Sequence, residues 1–305
     1  MTVEAQTTAT TTTPPSRLQL LLAYAVLYLV WGSTYLAMKW AVTTLPPFST
    51  AALRFVFSGV LLVGWGLLAK KREPITREHL LAALGQGVLL LVCGNAAVMW
   101  AMKTVPSGVG ALVIASTPLF MALLGRELRP ATWLGLALGT LGIAILVDPF
   151  ATDGAIAASG LLLLLFASAA WAVGSLLPRL VKPHPSNALA TGLQMLVGAS
   201  VQFVIAQALG EEIVLATTTT TSWLALLYLA VMGSLLGFTC YGWLLKVEPA
   251  SRVATYAYVN PVVAVLLGAA VGNEAITGRV VVAAAVIVVA VVLILRARRP
   301  SSAAS

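Results

Sequence analysis

The sequence has few charged residues and few cysteines, and both shortages exclude classes of protein. Only 9% of its 305 residues are charged, whereas 60% are hydrophobic. A soluble domain carries about 25% charged residues and needs them to cover its surface. Soluble enzymes, secreted domains and disordered scaffolds are therefore excluded. The two cysteines provide neither a disulfide framework nor a metal-ligand spacing. We expect a polytopic membrane protein that holds no metal and no cofactor.

Long apolar runs dominate what is present. A helix that crosses a bilayer needs about 20 mostly apolar residues. Ten such segments are predicted, at 18–40, 48–69, 80–102, 106–125, 131–147, 159–181, 187–209, 223–245, 250–272 and 278–295. They lack the polar–apolar alternation of an outer-membrane barrel. The predicted fold is all-α, with a disordered tail over 1–17 and a cytoplasmic C-terminal tail over 296–305.

The basic residues predict the orientation of the bundle. A net charge of +8 would suit nucleic acid only on a contiguous basic face, and here the basic residues are scattered between apolar runs. Of the 18 Lys and Arg residues, 14 fall on one side if both termini are placed there, and Lys39, Lys103 and Arg279 fall on the other. Since basic loops stay inside, both termini are expected in the cytoplasm. We interpret the acidic residues of the outer loops, such as Glu211 and Glu274, as a solvated face.

An internal repeat divides the chain into two halves, 18–147 and 159–295. The segments 94–125 and 237–268 share nine identical residues at a constant offset of 143, including a Trp, a Lys and two Pro. At an offset of 140, Trp31 pairs with Trp171, whereas Arg54 is replaced by Gln194. Because each half has five predicted spans, the second half enters the membrane from the opposite side. Inverted repeats around a central cavity are typical of secondary transporters, although some channels share them.

These motifs resemble the EamA family of the drug/metabolite transporter superfamily. The resemblance rests on Trp31-Gly32-Ser33, on Arg54, and on the Lys…Pro…Pro…Leu-Leu-Gly block of each half. It covers nearly the whole chain. Within the family, the ten-span form with cytoplasmic termini is most similar to bacterial aromatic amino-acid exporters. The resemblance thus implies efflux of amino acids across a bacterial inner membrane, and a cavity lined by spans one, three, four, six, eight and nine.

Arg54 is the one ionisable residue well inside a predicted span, which makes it a functional candidate. It could pair with a substrate carboxylate. Alternatively, it snorkels or bonds helix-end carbonyls and so has a structural role. Pro118 and Pro261 occupy equivalent mid-span positions in the two halves and predict helix interruptions that act as gates, or packing kinks.

Polar and aromatic side chains cluster near these prolines. The predicted cavity residues are Trp31, Gln86, Asn95, Met99, Trp171, Tyr256, Tyr258 and Asn260. Aromatic rings and amides suit a zwitterion with an apolar side chain. Interfacial anchoring of the aromatics and interhelical hydrogen bonds of Asn95 and Asn260 are the structural alternatives.

Spans five and ten carry small residues, including Gly135, Gly139 and Gly142, and almost no polar side chains. They predict a scaffold, a dimer contact or simple packing within the chain, so the sequence leaves monomer and homodimer open.

The predicted function is gradient-driven export of aromatic and other apolar or neutral amino acids by alternating access, with the lipid bilayer and the amino acid as the partners. Import or exchange of a sugar or nucleotide derivative is the alternative. The hypothesis from a different functional class is a non-transporting membrane enzyme or a channel. The sequence contains no intramembrane Asp pair and no phosphate-binding glycine loop to favour an enzyme.

Overall fold

A computed structural model describes residues 15–69, 73–124, 130–147, 158–248, 253 and 256–297. Within these ranges every regular element is a helix, which confirms the all-α prediction. Most of each predicted tail, at 1–14 and 298–305, lies outside the described residues.

The helices follow the predicted spans in order. They are α1 (Arg17–Ala41), α2 (Pro47–Leu68), α3 (Arg77–Ala101), α4 in two parts (Ser107–Ile114 and Thr117–Leu124), α5 (Pro130–Val147), α6 (Ala158–Leu176), α7 (Asn187–Ala208), α8 in three consecutive segments (Thr220–Tyr228, Leu229–Leu236 and Gly237–Val247), α9 (Tyr256–Ala270) and α10 (Gly278–Ala297). Six of them, α1, α2, α3, α6, α7 and α8, are long and apolar enough to cross a membrane. The predicted fourth, fifth, ninth and tenth spans contain shorter apolar helices. The exact ten-span inverted repeat stays a prediction.

Local sequence signals explain several helix starts. Pro47 and Pro130 are the first residues of α2 and α5, where the fixed φ of proline suits a helix and its missing N–H costs nothing. Ser16 begins α1 with a capping box in which its hydroxyl accepts from the backbone N–H of Gln19. The apolar interior of each helix then satisfies its own backbone, as a bilayer requires.

Two helix pairs pack closely along their lengths, α2 with α7 and α5 with α10. Glycine allows both approaches, since a Cβ added at Gly192 would lie 2.8 Å from Cγ2 of Val63. At Gly142 an added Cβ would lie 2.6 Å from Cγ1 of Ile287. Small residues of this kind let helix backbones approach within a membrane. Gly142 therefore lies at a contact between helices of the same chain.

The paired prolines have unequal effects. In α4 the helix stops at Ile114 and resumes at Thr117, so Pro118 follows a break at Ala115 and Ser116. The carbonyl oxygen of Ile114 accepts a hydrogen bond from the Thr117 hydroxyl at 2.8 Å. Pro261, by contrast, lies inside the continuous helix α9. The expected interruption is thus present at Pro118, and Pro261 does not divide its helix.

The break lets the two parts of α4 pack on different neighbours. Its first part lies against α9, α6 and α1, whereas its second part lies chiefly against α6, with smaller contacts to α10 and α5. A helix divided in this way can move one part without the other.

The bundle has two ends, which we name after residues on them. The Lys39 end holds the loops around Lys39, Ser49, Ser107, Glu211 and Glu274. Hydrogen bonds join Lys39 and Ser107 to Glu274, and Ser49 to Glu211.

At the opposite His184 end, Nε2 of the buried His184 lies 3.0 Å from the carbonyl oxygen of Glu73, and its ring packs edge-on against His79. The loop before α3 is thereby joined to the loop after α6.

Candidate functional site

Three helices near the centre of the bundle contain π-helical segments, at Val26–Val30 in α1, Gly87–Ala96 in α3 and Leu229–Leu236 in α8. Such segments are rare and frequently mark functional sites, because they displace backbone groups from regular pairing. Those in α3 and α8 occupy corresponding places in the two halves, with the paired Gly94 and Gly237 near their ends. These segments were not predicted, because helix interruptions were expected at prolines and all three segments lack proline.

Side chains from other helices donate to carbonyl oxygens in these segments. The amide Nε2 of Gln202 on α7 bonds the Leu91 oxygen at 2.7 Å. The hydroxyl of Ser58 on α2 bonds the Ala230 oxygen at 2.8 Å. In a bilayer interior, where water is scarce, such donors stabilise irregular backbone. The segments are consequently held between the two halves of the chain.

Trp31 is attached to the π-helical segment of α8. Its indole Nε1 donates to the carbonyl oxygen of Gly233 at 3.1 Å. A Cβ added at Gly237 would lie 2.9 Å from Cδ1 of this indole and closer still to Nε1. In the other half, a Cβ added at Gly94 would lie 2.9 Å from Cε3 of Trp171. Each half thus places its tryptophan on the paired glycine of the other half.

Arg54 lies beside the same segment and is only 2% exposed. Its Nε donates to the Ser234 hydroxyl at 2.7 Å, and its Nη1 donates to Oδ1 of Asn95 at 3.0 Å. Its guanidinium carbon also lies 4.9 Å from the centre of the Phe55 ring. Arg54 therefore bonds side chains of α3 and α8 in the interior, and it neither snorkels to an end of the bundle nor caps a helix.

The Arg54 guanidinium has hydrogen-bond partners but no counter-ion among the described residues, where the salt bridge found is Lys39–Glu274. Buried charges are usually paired because their desolvation is costly. A guanidinium has five N–H donors, and the two bonds above use one each on Nε and Nη1. Guanidinium N–H groups are donors that suit a carboxylate.

An aromatic cluster surrounds Trp31. Its ring centre lies 5.4 Å from that of Phe238, 5.2 Å from Tyr241 and 5.3 Å from Tyr256. Trp31, Tyr241 and Tyr256 are each partly exposed. Phe238 and Tyr241 were not predicted, although they follow Gly237 on α8 and are about one helical turn apart. The cluster offers a surface on which a flat apolar group can stack.

The predicted amides have definite structural partners. Asn95 accepts from Arg54, as described above. The buried Asn260 faces backbone oxygens and, with its nitrogen turned to them, donates to Tyr28 at 3.1 Å and to Tyr256 at 3.3 Å. Asn260 thus joins α9 to α1, which agrees with the alternative that it forms an interhelical hydrogen bond.

The remaining predicted cavity residues are dispersed. Gln86 is partly exposed just before the π-helical segment of α3, and Trp171 is partly exposed on α6. Met99 is completely buried within the apolar core. Tyr258 lies on α9, but its side chain falls outside what the structure describes. The structure therefore brings Trp31, Arg54, Asn95 and Tyr256 to the part of the bundle where α1, α2, α3, α8 and α9 meet.

Two acidic residues that we interpreted as a solvated face have structural partners instead. Both oxygens of Glu211 accept from the backbone of Phe48 and Ser49 at 3.1 and 2.7 Å, at the start of α2. The Ser49 hydroxyl donates to the same carboxylate at 3.0 Å. The carboxylate is favourable there because the N–H groups of a helix start carry partial positive charge.

Glu274 binds the start of α4 in a similar way. Its carboxylate accepts from the backbone N–H groups of Ser107 and Gly108 at 2.8 and 3.2 Å, and from the Ser107 hydroxyl at 3.0 Å. The Lys39 ammonium, at the end of α1, donates to the same carboxylate at 2.7 Å. Burial favours the neutral acid, but the hydrogen bonds from Lys39 and from the backbone of Ser107 and Gly108, together with the charge of Lys39, outweigh it and hold the pKa of the Glu274 carboxyl below its ordinary value. The interpretation of Glu274 as solvated is wrong, since its side chain is 10% exposed.

Residues 18–148 and 158–296 each match the EamA-like transporter family. The chain belongs to this family. The two matched regions cover nearly the whole chain and coincide with the two predicted halves.

Relatives within this EamA-like family share much of the sequence. The chain is 37% identical over 260 residues to the uncharacterized inner membrane transporter YedA of Escherichia coli K12, covering 84% of this chain and 83% of YedA. It is 28% identical over 265 residues to a Salmonella typhimurium protein named "Probable amino-acid metabolite efflux pump", covering 82% and 85% of the two chains. One solved structure matches 93% of this chain and all of its own, with a TM-score of 0.64 at 24% identity. That last likeness shows the fold. The chain is a multi-pass membrane transporter of the EamA type, and the names of its relatives are consistent with a protein that is not an enzyme.

Proposed function

We propose that this EamA-type transporter exports amino acids, with a preference for aromatic and other apolar or neutral side chains. The observation that carries the proposal is the buried Arg54 guanidinium, which has no counter-ion among the described residues. A substrate carboxylate bound to Arg54 supplies the missing negative charge. The aromatic cluster around Trp31 receives the side chain of the amino acid, and the similarity to an amino-acid metabolite efflux pump supports the same substrate class.

The proposal includes the direction of transport and the orientation of the protein in the membrane. Both termini lie in the cytoplasm, so the Lys39 end faces the outside of a bacterial inner membrane. The two halves exchange conformations by alternating access around the Arg54 region. The break before Pro118 lets α4 act as a gate. The Trp31–Gly237 and Trp171–Gly94 contacts support this exchange, because they are equivalent contacts made between opposite halves.

Sugar phosphates and nucleotides are the weaker alternative substrates. They carry more than one negative charge and call for several cations, whereas Arg54 supplies one.

Flux measurements with the purified protein in liposomes test the proposal. Saturable efflux of phenylalanine, leucine or a similar amino acid, absent from protein-free liposomes, is the expected result. Saturable flux of sugar phosphates or nucleotides without amino-acid flux would assign the protein to the alternative. Non-saturable flux that rises linearly with concentration would indicate a channel.

A further inference from the structure

The strongest feature outside the Arg54 region is the contact of Glu274 with Lys39 and Ser107. It connects three elements, the end of α1, the start of α4 and the loop between α9 and α10. Lys39 and Ser107 belong to the first half, and Glu274 belongs to the second. One carboxylate with four donors at 2.7 to 3.2 Å therefore holds the two halves together at the Lys39 end.

The Glu211 contact has nearly the same chemistry in a different setting. Glu211 also comes from the second half and binds a serine and the backbone at a helix start in the first half. However, it joins α2 to α7, and these two helices pack along their lengths through glycines. Opening the Glu211 contact alone would not separate the helices that it joins.

The Glu274 contact lies where separation is possible. The part of α4 that it caps, Ser107–Ile114, is separated from the rest of α4 by the break at Ala115 and Ser116. This part lies against α9, α6 and α1, while the part after the break lies against α6, α10 and α5. Movement of the first part away from α9 requires the carboxylate of Glu274 to release Ser107 and Gly108, and movement of the end of α1 away from α9 requires it to release Lys39.

We propose that the contact of Glu274 with Lys39 and Ser107 is a releasable latch that closes the Lys39 end, and that the contact of Glu211 with Ser49 is permanent. The latch rests on the alternating access described under Proposed function. It closes the transporter to the outside while the Arg54 region is open to the cytoplasm. Release of the latch is then an obligatory step of each transport cycle.

A cross-linking experiment separates a latch from a permanent contact. Cys93→Ala and Cys240→Ala first remove the two cysteines of the chain. Ser107→Cys and Glu274→Cys are then introduced, and a short bifunctional reagent with a reducible linker joins the two new thiols. We expect cross-linking to abolish amino-acid flux in liposomes and reduction of the linker to restore it. Restoration by reduction shows that the protein is folded and that the closure itself stops transport.

The Glu211 contact supplies the matched control. Ser49→Cys with Glu211→Cys replaces the same residue types at the same end of the protein, and cross-linking there should leave flux unchanged. Equal flux before and after cross-linking of the Ser107–Glu274 pair would overturn the latch. Equal loss of flux in both pairs would overturn the distinction between them.

A second measurement does not depend on the substrate. Ser107→Cys should react with a membrane-impermeant thiol reagent on the order of tenfold faster when Lys39→Ala is also present, because a lost hydrogen bond to a charged group shifts an equilibrium by about that factor. Lys103→Ala, an exposed cation at the same end, is the control and should leave the rate unchanged. If no amino acid is transported, the proposed substrate fails, yet an accelerated reaction in the Lys39→Ala protein still supports the latch. An unchanged rate in that protein contradicts it.

Discussion

Trp31 lies against Gly237 and donates a hydrogen bond to the carbonyl oxygen of Gly233, 3.1 Å away. The contact joins α1 to the π-helical segment of α8 and places the indole at the centre of the aromatic cluster. The indole leaves no room for a side chain at position 237.

Gly237→Ala should therefore destabilise the protein by about 1–3 kcal/mol, the usual cost of overpacking a well-packed site. The added methyl group must displace the indole and lengthen its bond to Gly233. Thermal unfolding in detergent measures the effect. Gly64→Ala is the control, since nothing lies within 4 Å of a Cβ added there; equal unfolding temperatures for the two variants would show that the contact is not tight.

The sequence did not predict this contact, although the internal repeat pairs the residues that form it. The repeat pairs Trp31 with Trp171 and Gly94 with Gly237, and the structure places each tryptophan on the glycine of the opposite half. The apolar runs predicted the six long membrane-spanning helices and the positions of the shorter apolar ones. Both signals are local or periodic, and a single sequence displays such signals directly.

The π-helical segments and the glutamate contacts could not be predicted in the same way. A π-helix has no hydrophobic period distinct from that of an α-helix over so few residues, and these segments lack proline. Glu274 and Ser107 are 167 residues apart in the chain. An acidic residue in a loop gives no sign of a partner so distant, so its interpretation as solvated was the natural one and was wrong.

Acid should weaken the contact of Glu274. Its pKa is lowered by folding, so the folded state binds fewer protons than the unfolded state. The resulting stability is fully present above the ordinary carboxyl pKa of about 4.3 and is lost as the pH falls through the lower, folded value.

Thermal unfolding between neutral and strongly acidic pH measures this loss. The decrease in unfolding temperature below about pH 4.3 should be smaller in Glu274→Gln than in the unmodified protein. Glu212→Gln, at an exposed residue next to Glu211, is the control and should keep the original slope. A Glu274→Gln protein with an unchanged acid slope would show that the carboxylate contributes no stability.

The two prolines should differ in their effect on transport. Pro118 follows the break in α4, whereas Pro261 lies in a continuous helix. Pro118→Ala restores a backbone N–H that can close the break, so it should slow turnover more than Pro261→Ala does. Turnover rates in liposomes at saturating substrate, corrected for the amount of folded protein, make the comparison. Equal rates would mean that the break is not part of the gate.

Transport should need no imposed ion gradient. Among the predicted spans Arg54 is the one ionisable residue well inside the membrane, and guanidinium does not exchange protons readily. Labelled amino acid should accumulate by counterflow in liposomes that are loaded with unlabelled amino acid and have equal pH and sodium on both sides. Accumulation that requires a proton or sodium gradient would point to a coupling site, with Glu274 and Lys39 as the first candidates.

Competition during counterflow tests whether Arg54 binds the carboxylate of the substrate. Labelled phenylalanine is the transported substrate, and phenylethylamine, which lacks the carboxylate, is the competitor to compare with unlabelled phenylalanine. Binding of the substrate carboxylate by Arg54 predicts that phenylalanine competes at least about tenfold better with the unmodified protein, as expected for loss of one charge-assisted bond. It also predicts that Arg54→Gln, which keeps a hydrogen-bonding side chain, removes most of this difference. Equal competition by both compounds, or a difference that persists in Arg54→Gln, would contradict the claim that Arg54 binds the substrate.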